Sequence, residues 1–378
     1  MSASAVGKIP AKEDIYFNQL DGIRFIAVFL VLFDHWMSGY IPFPLGPLGV
    51  NMFFVLSGFL ITRILIESKQ KYAPKEGGLG IYLKKFYIRR TIRIFPIYYL
   101  TIFVLFALDV PPVREKIGWC LLYATNIYVA HYDKWLGVID HFWSLAVEEQ
   151  FYIFFPLVVF FVPTRYLERL LWAFIVGAVL LRLYYFLQGG SWAKCYVLMP
   201  TSLDAFGLGG LMAYLFIFRR ESFRRLFSQR YLVWLSLGGV IGIIIWQQMS
   251  DVPSLEHISY VVFERFTSSV FCFFLIGNAV YGYTGGMKAF LENPASVYLG
   301  KISYGMYLYH NFVFNHFHTP PTHPVYRLMH RIYGHFPSLT ENYFFQFAVY
   351  FAITVLVASV SWYLIEKPVN GLKNKFRY

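Results

Sequence analysis

Charge is what this sequence has least of. Only 14% of its 378 residues are Asp, Glu, Lys or Arg, while 57% are hydrophobic and 21% aromatic. A soluble domain carries about 25% charged residues, so the composition excludes an ordinary soluble enzyme and predicts an integral membrane protein. Cysteine is scarce as well, with only Cys120, Cys195 and Cys272. Cys272 lies in an apolar run. Cys120 and Cys195 fall in segments away from the inner face, where a disulfide between them stays open because spacing cannot establish its geometry. A cleavable leader is not expected: residues 1–20 are polar, and the first apolar run is long enough to span and lacks a small-residue exit. That run reads as an uncleaved signal anchor. No internal repeat and no appended soluble domain are evident. The formal net charge of +12 comes from 33 basic less 21 acidic residues. It does not point to nucleic acid, because the basic residues gather in particular loops. No metal is expected.

What is present is a series of long apolar runs. A crossing needs about 20 mostly apolar residues. Ten runs qualify, at roughly 23–40, 48–66, 92–109, 142–162, 168–187, 203–218, 231–248, 262–282, 298–316 and 344–365. The run at 117–129 is too brief and reads as an interfacial or re-entrant helix. Basic residues mark the cytoplasmic loops. Lys69, Lys71, Lys75, Lys84, Lys85, Arg89 and Arg90 share one connection, Arg219, Arg220, Arg224, Arg225 and Arg230 another, and Lys367, Lys373, Lys375 and Arg377 close the chain. The expected fold class is an all-α integral membrane protein, a bundle of about ten transmembrane helices with both termini cytoplasmic. Residues 1–378 form one domain, with 1–20 and 366–378 as cytoplasmic segments.

Ionisable residues inside such runs are costly and are functional candidates by default. In "LDGIRFIAVFLVLFDHW", Arg24 and His35 are eleven residues apart. That is about three turns, or roughly 16 Å, so both face the same way. Asp21 stands one turn before Arg24, in place for an ion pair. Asp34 points about a quarter-turn from His35 and cannot be assumed to orient it. In "HFWSLAVEEQFYIFFP", Glu148 and Glu149 are placed about 10 Å below the outer surface, at the level assigned to His35 and to His310 of "SYGMYLYHNFV". A histidine with a carboxylate partner is a general-base arrangement, so Glu148 or Glu149 is expected to orient His35. Arg90 and Arg93 in "RRTIRIFPIYYL" are one turn apart and suit phosphate, because guanidinium forks match phosphate oxygens. Ser57 and Gly58 in "VLSGFLIT" permit close helix approach, and Ser57 is also weighed as an acyl-carrying hydroxyl. Trp36 and Trp143 lie near the outer mouth, where they would stack on sugar rings or belong to an interfacial belt.

Together with "GVNMFFVLSGFLIT" and the terminal "WYLIEKP", these stretches resemble the acyltransferase 3 family, in the family's order and over nearly the whole chain. The resemblance implies transfer of an acyl group, commonly acetyl, from acyl-CoA to a hydroxyl of a carbohydrate or glycolipid. It implies His35 with Glu148 or Glu149 as catalytic residues and Arg24, Arg90 and Arg93 as donor-binding residues. His310, Asp34, Trp36 and Trp143 follow as substrate or secondary contacts. Membrane lipids would surround the bundle, most naturally in a bacterial inner membrane. Asp34 departs from the apolar residue commoner before the family's histidine. The esterase-like outer domain of some members is not seen in the sequence, so transfer would finish on this chain or pass to a separate esterase-like partner. The competing reading is a proton-coupled transporter or flippase using the same His and Glu as a proton relay.

Overall fold

The structure is a computed structural model that describes residues 17–37, 43–315, 318–340 and 342–376. Among them every regular element is helical. The principal helices are α1 (Asn18–Met37), α2 (Leu45–Tyr72), α3 (Gly78–Ala107), α4 (Phe142–Phe161), α5 (Thr164–Leu187), α6 (Leu203–Phe218), α7 (Tyr231–Gln248), α8 (Arg265–Tyr281), α9 (Ser303–Val313) and α10 (Tyr343–Ser361). The short run predicted not to cross forms two small helices, Ile117–Leu121 and Thr125–Tyr132.

Eight of these helices are long and apolar enough to cross a membrane, α1 and α9 being the exceptions. The expected ten is therefore not reached on length and composition. In α1 the reason is the charge of Asp21, Arg24 and Asp34. In α9 it is a break. Asn293 caps a preceding helix, accepting from the Ala295 amide at 2.9 Å, with Pro294 in the first turn. That Asn–Pro start is favourable, but the helix stops after Lys301, and α9 then runs only 11 residues. Eleven residues rise about 16 Å, roughly half a hydrocarbon core.

The best-buried helices are α2 and α6, each with 78% of its most apolar stretch inside the bundle. By contrast α5, α7 and α10 bury 22%, 17% and 22%, and turn residues such as Trp234, Leu235 and Phe344 outward. Without lipid such faces would be a liability; in a bilayer they are the solvent-facing side. The α2–α6 seam depends on small residues. A Cβ on Gly58 would lie 2.3 Å from the Phe206 carbonyl oxygen, and one on Gly209 2.1 Å from that of Val55. Gly58 thus permits the close approach expected of it. Ser57, its neighbour, is used differently.

One polar cluster inside the bundle was not anticipated. Arg182 of α5 is 1% exposed and donates to Asp204 Oδ2 of α6 at 2.6 Å. Its other nitrogens donate to the carbonyls of Val262 and Thr201 at 3.0 and 2.5 Å. Arg265 bonds Ser202 and donates to the Tyr196 carbonyl at 2.7 Å. These bonds hold the ends of α5, α6 and α8 around the short helix Trp192–Val197. The three cysteines are free and buried, so the disulfide left open by the sequence does not form.

Candidate active site

Two cavities lie on the inner side of α1, and that helix contributes to both. Arg24, near its start, lines one together with Ser57, Arg90, Arg93, Glu148 and Glu149. Asp34 and His35, near its end, line the other with His141, Trp143 and Asn311. Val50 of α2 and Tyr307 of α9 border both. Ser144 Oγ and Tyr307 Oη, 2.5 Å apart, brace this partition.

In the Arg-lined cavity, Arg24 donates to Asp21 Oδ1 at 2.6 Å, the ion pair its spacing predicts. Arg93 is repelled by Arg24 and Arg90, and Arg90 lies 5.4 Å from the centre of the Tyr152 ring. Ser57 donates to Glu148 Oε1 at 2.6 Å and accepts from the Tyr152 hydroxyl at 3.0 Å. Glu149 is buried, and its Oε1 has no hydrogen-bond partner. Near this end the tail Leu372–Phe376 packs on α3, where Arg89 donates to the Lys373 carbonyl at 3.3 Å. Burial, reinforced by repulsion from Arg93, Arg90 and Arg89, lowers the Lys373 ammonium to about 6.

The other cavity holds an imidazole chain. His310 Nδ1 lies 2.6 Å from the Tyr307 carbonyl oxygen and must donate to it, which leaves His310 Nε2 as an acceptor. His35 Nδ1 is 2.8 Å from that nitrogen and therefore carries the proton. Asn311 Oδ1 flanks the same Nδ1 at 3.4 Å. His141 Nε2 donates to the Leu308 carbonyl at 3.1 Å, and its Nδ1 accepts from Asn311 Nδ2 at 3.0 Å. Two backbone carbonyls of α9 thus dictate every proton in the chain. The tautomer assigned by these bonds leaves His35 Nε2 with its lone pair free.

This arrangement corrects the expected pairing. Neither Glu148 nor Glu149 bonds His35; His310 and Asn311 do. His35 sits two residues from the end of α1 and, through Asn311, shares a level with His141 at the start of α4. Glu148 lies seven residues further along α4, about 10 Å down the axis. Its partner is on α2 instead. Trp36 is also corrected. It is 3% exposed and its indole donates to the Phe314 carbonyl at 2.9 Å, so it packs the bundle rather than facing a cavity. Trp143 does line the His35 cavity, as does Asp34, whose carboxylate receives the backbone amides of Leu45 and Gly46 at the start of α2. His141, Asn311 and Tyr307 were missed. For Asn311, adjacency to His310 was the one available signal.

A family model described as an acyltransferase domain matches residues 17–363. The chain belongs to the acyltransferase 3 family. Together with its apolar helices this makes it an integral membrane protein of an acyl-transferring family. Among curated relatives, a Staphylococcus aureus (strain COL) protein named as a candidate O-acetyltransferase is 26% identical over 96% of this chain and 59% of its own length. The O-acetyltransferase OatA of Staphylococcus aureus strain NCTC 8325 is 26% identical over 94% of this chain and 57% of its own length. The chain therefore spans less than two thirds of these relatives. No solved structure matches it.

Proposed function

We propose that this acyltransferase 3 protein moves an acyl group, acetyl in the first instance, from acyl-CoA held at the Arg24–Arg90–Arg93 cavity to a sugar hydroxyl in the His35 cavity. The observation that carries the reading is the tautomer chain, which gives the aromatic cavity a basic imidazole nitrogen, with the guanidinium-lined cavity across the Val50–Tyr307 partition. In this scheme His35 Nε2 takes the proton of the acceptor hydroxyl as its oxygen attacks the acyl carbonyl. The carbon–sulfur bond breaks, CoA leaves as the thiolate, and the His35 proton returns to it or to water. The imidazolium formed is held by His310 and Asn311. The donor supplies an activated thioester and phosphate charge; Arg90 and Arg93 would hold that charge with paired N–H groups. Basic residues cluster at the Arg-lined end, which supports reading that end and both termini as cytoplasmic. α1, and α9 together with the preceding helix Pro294–Lys301, would then complete ten crossings in a bacterial inner membrane.

Membranes containing the protein, given acetyl-CoA labelled on the acetyl group, should place label on glycan and release CoA. Consumption of acetyl-CoA without labelled product would shift the acceptor elsewhere, and no consumption would favour the transporter reading. Donor affinity should also depend on pH. The Lys373 cation exists below about 6 in the free protein, and a bound polyphosphate would draw a proton onto it. Acetyl-CoA should therefore bind several-fold more tightly at acidic than at alkaline pH, with proton uptake measurable by calorimetry in buffers of different ionisation heat. Lys373→Met should flatten the profile; an unchanged profile would remove Lys373 from the donor site.

A further inference from the structure

The His35 cavity has features that the transfer step leaves unused, and they describe the acceptor. Its wall is a continuous aromatic ladder. The Trp135 and Trp192 rings lie 5.9 Å apart, Trp192 stacks on Tyr196 at 4.8 Å, and Tyr196 meets Trp143 at 4.7 Å. Trp135 is 39% exposed at the rim, while Trp143 is 5% exposed at the base. The indole N–H groups of Trp135 and Trp192 have no hydrogen-bond partner among the described residues. Rings of this kind give an apolar face for a sugar's C–H surface and a polar edge for its hydroxyls. An interfacial belt would turn them to lipid, whereas all four line one cavity.

Charge is the second feature. The described lining includes two carboxylates, Asp34 and Asp140, and no Lys or Arg. Asp140 Oδ1 has no hydrogen-bond partner among the described residues, the backbone amides of Leu136 and Gly137 face the carboxylate, and Oδ2 lies 3.8 Å from His318 Nε2. A nearby guanidinium, Arg265, is 3% exposed behind Tyr196, 4.6 Å from its ring centre; two of its nitrogens bond Ser202 and a backbone carbonyl, and its Nε has no partner among the described residues. An anionic sugar entering here meets like charge in a partly dry cavity and finds no Lys or Arg among the described lining residues to pair with.

We propose that this cavity selects its acceptor by charge, taking uncharged or amine-bearing sugar rings on the Trp135–Trp192–Tyr196 ladder and rejecting carboxylated or phosphorylated ones through Asp34 and Asp140. This rests on the acyltransfer reading, with the His35 cavity as the acceptor side. Burial pushes the Asp140 carboxyl up to about 7, so the test belongs above that pH, where Asp140 is charged.

The purified full chain in detergent would be titrated with cellotetraose and with its C6-oxidised tetraglucuronate, followed by saturation-transfer NMR. The two probes share a backbone and differ in carboxylates. Cellotetraose should bind at least tenfold more tightly. Trp192→Ala should abolish that binding and Trp192→Phe should keep it, and Asp34→Asn with Asp140→Asn should narrow the difference between the probes. Equal or tighter binding of the tetraglucuronate overturns charge selection. If neither probe binds while membranes still label glycan from acetyl-CoA, the cavity is not the acceptor seat, yet acyltransfer stands. If label transfer is also absent, the underlying reading falls with it.

Discussion

His35→Ala should lower transfer of labelled acetyl to glycan by about 10²–10⁴-fold, the usual contribution of a positioned general base, while acetyl-CoA still binds. The companion variant is the more informative one. In the wild-type protein His310 accepts the His35 Nδ1 proton because its own Nδ1 is committed to the Tyr307 carbonyl. His310→Leu removes that acceptor and leaves only the longer contact to Asn311 Oδ1 at 3.4 Å. The wrong tautomer then competes, and kcat should fall by roughly 10²-fold, less than the roughly 10⁴-fold seen when a triad loses its orienting group because the Asn311 contact remains, with the donor KM little changed. His310→Gln, whose amide oxygen can accept the same proton, should recover part of the loss. Turnover in single-exponential acetyl-transfer assays would decide the matter. Full activity in His310→Leu, together with a collapse in Glu148→Gln, would return the orienting role to the carboxylate.

Arg182→Leu should be the most damaging change outside the cavities. Asp204 is 0% exposed, and the substitution strands its carboxylate among apolar neighbours. Breaking a buried pair from one side costs about 3–5 kcal/mol, whereas replacing both partners with apolar residues is often neutral. The single variant should therefore lose folded yield and unfold at a much lower temperature in detergent. Arg182→Leu with Asp204→Leu should regain most of that loss. Monodispersity and melting temperature at fixed detergent concentration measure both. Equal damage in the single and double variants would show that the bonds to Thr201 and Val262, rather than the ion pair, hold this corner together.

The two cavities were legible in the sequence as separate clues, and their wiring was not. A helical period of 3.6 residues sets which side chains share a face, and this was enough to put Arg24 and His35 on one side of α1 and to pair Arg24 with Asp21. Apolar run length was enough for the membrane class and for most helix positions, with α4, α6 and α7 matching their runs within a residue. It failed at α9, where the chain breaks at Ile302, because run length alone spans the short interruption of Gly300, Lys301 and Ser303 that carries the turn. The expected His35–glutamate pair failed for a different reason. Depth was counted from the ends of runs, and an error of a few residues in an end moves a side chain by a full turn. Arg182 was passed over inside its apolar run, since nothing local announces that Asp204 lies opposite. Trp36 reads as a mouth residue from its position along α1, whereas its indole donates to the Phe314 carbonyl. By itself the sequence determined the membrane, the helices and the faces of each helix, because those follow from composition and period along one chain. Only the tertiary structure decided which faces meet, since partner identity depends on the rotation and axial offset between helices, and those are set by packing contacts such as Gly58 on Phe206 that no single segment contains.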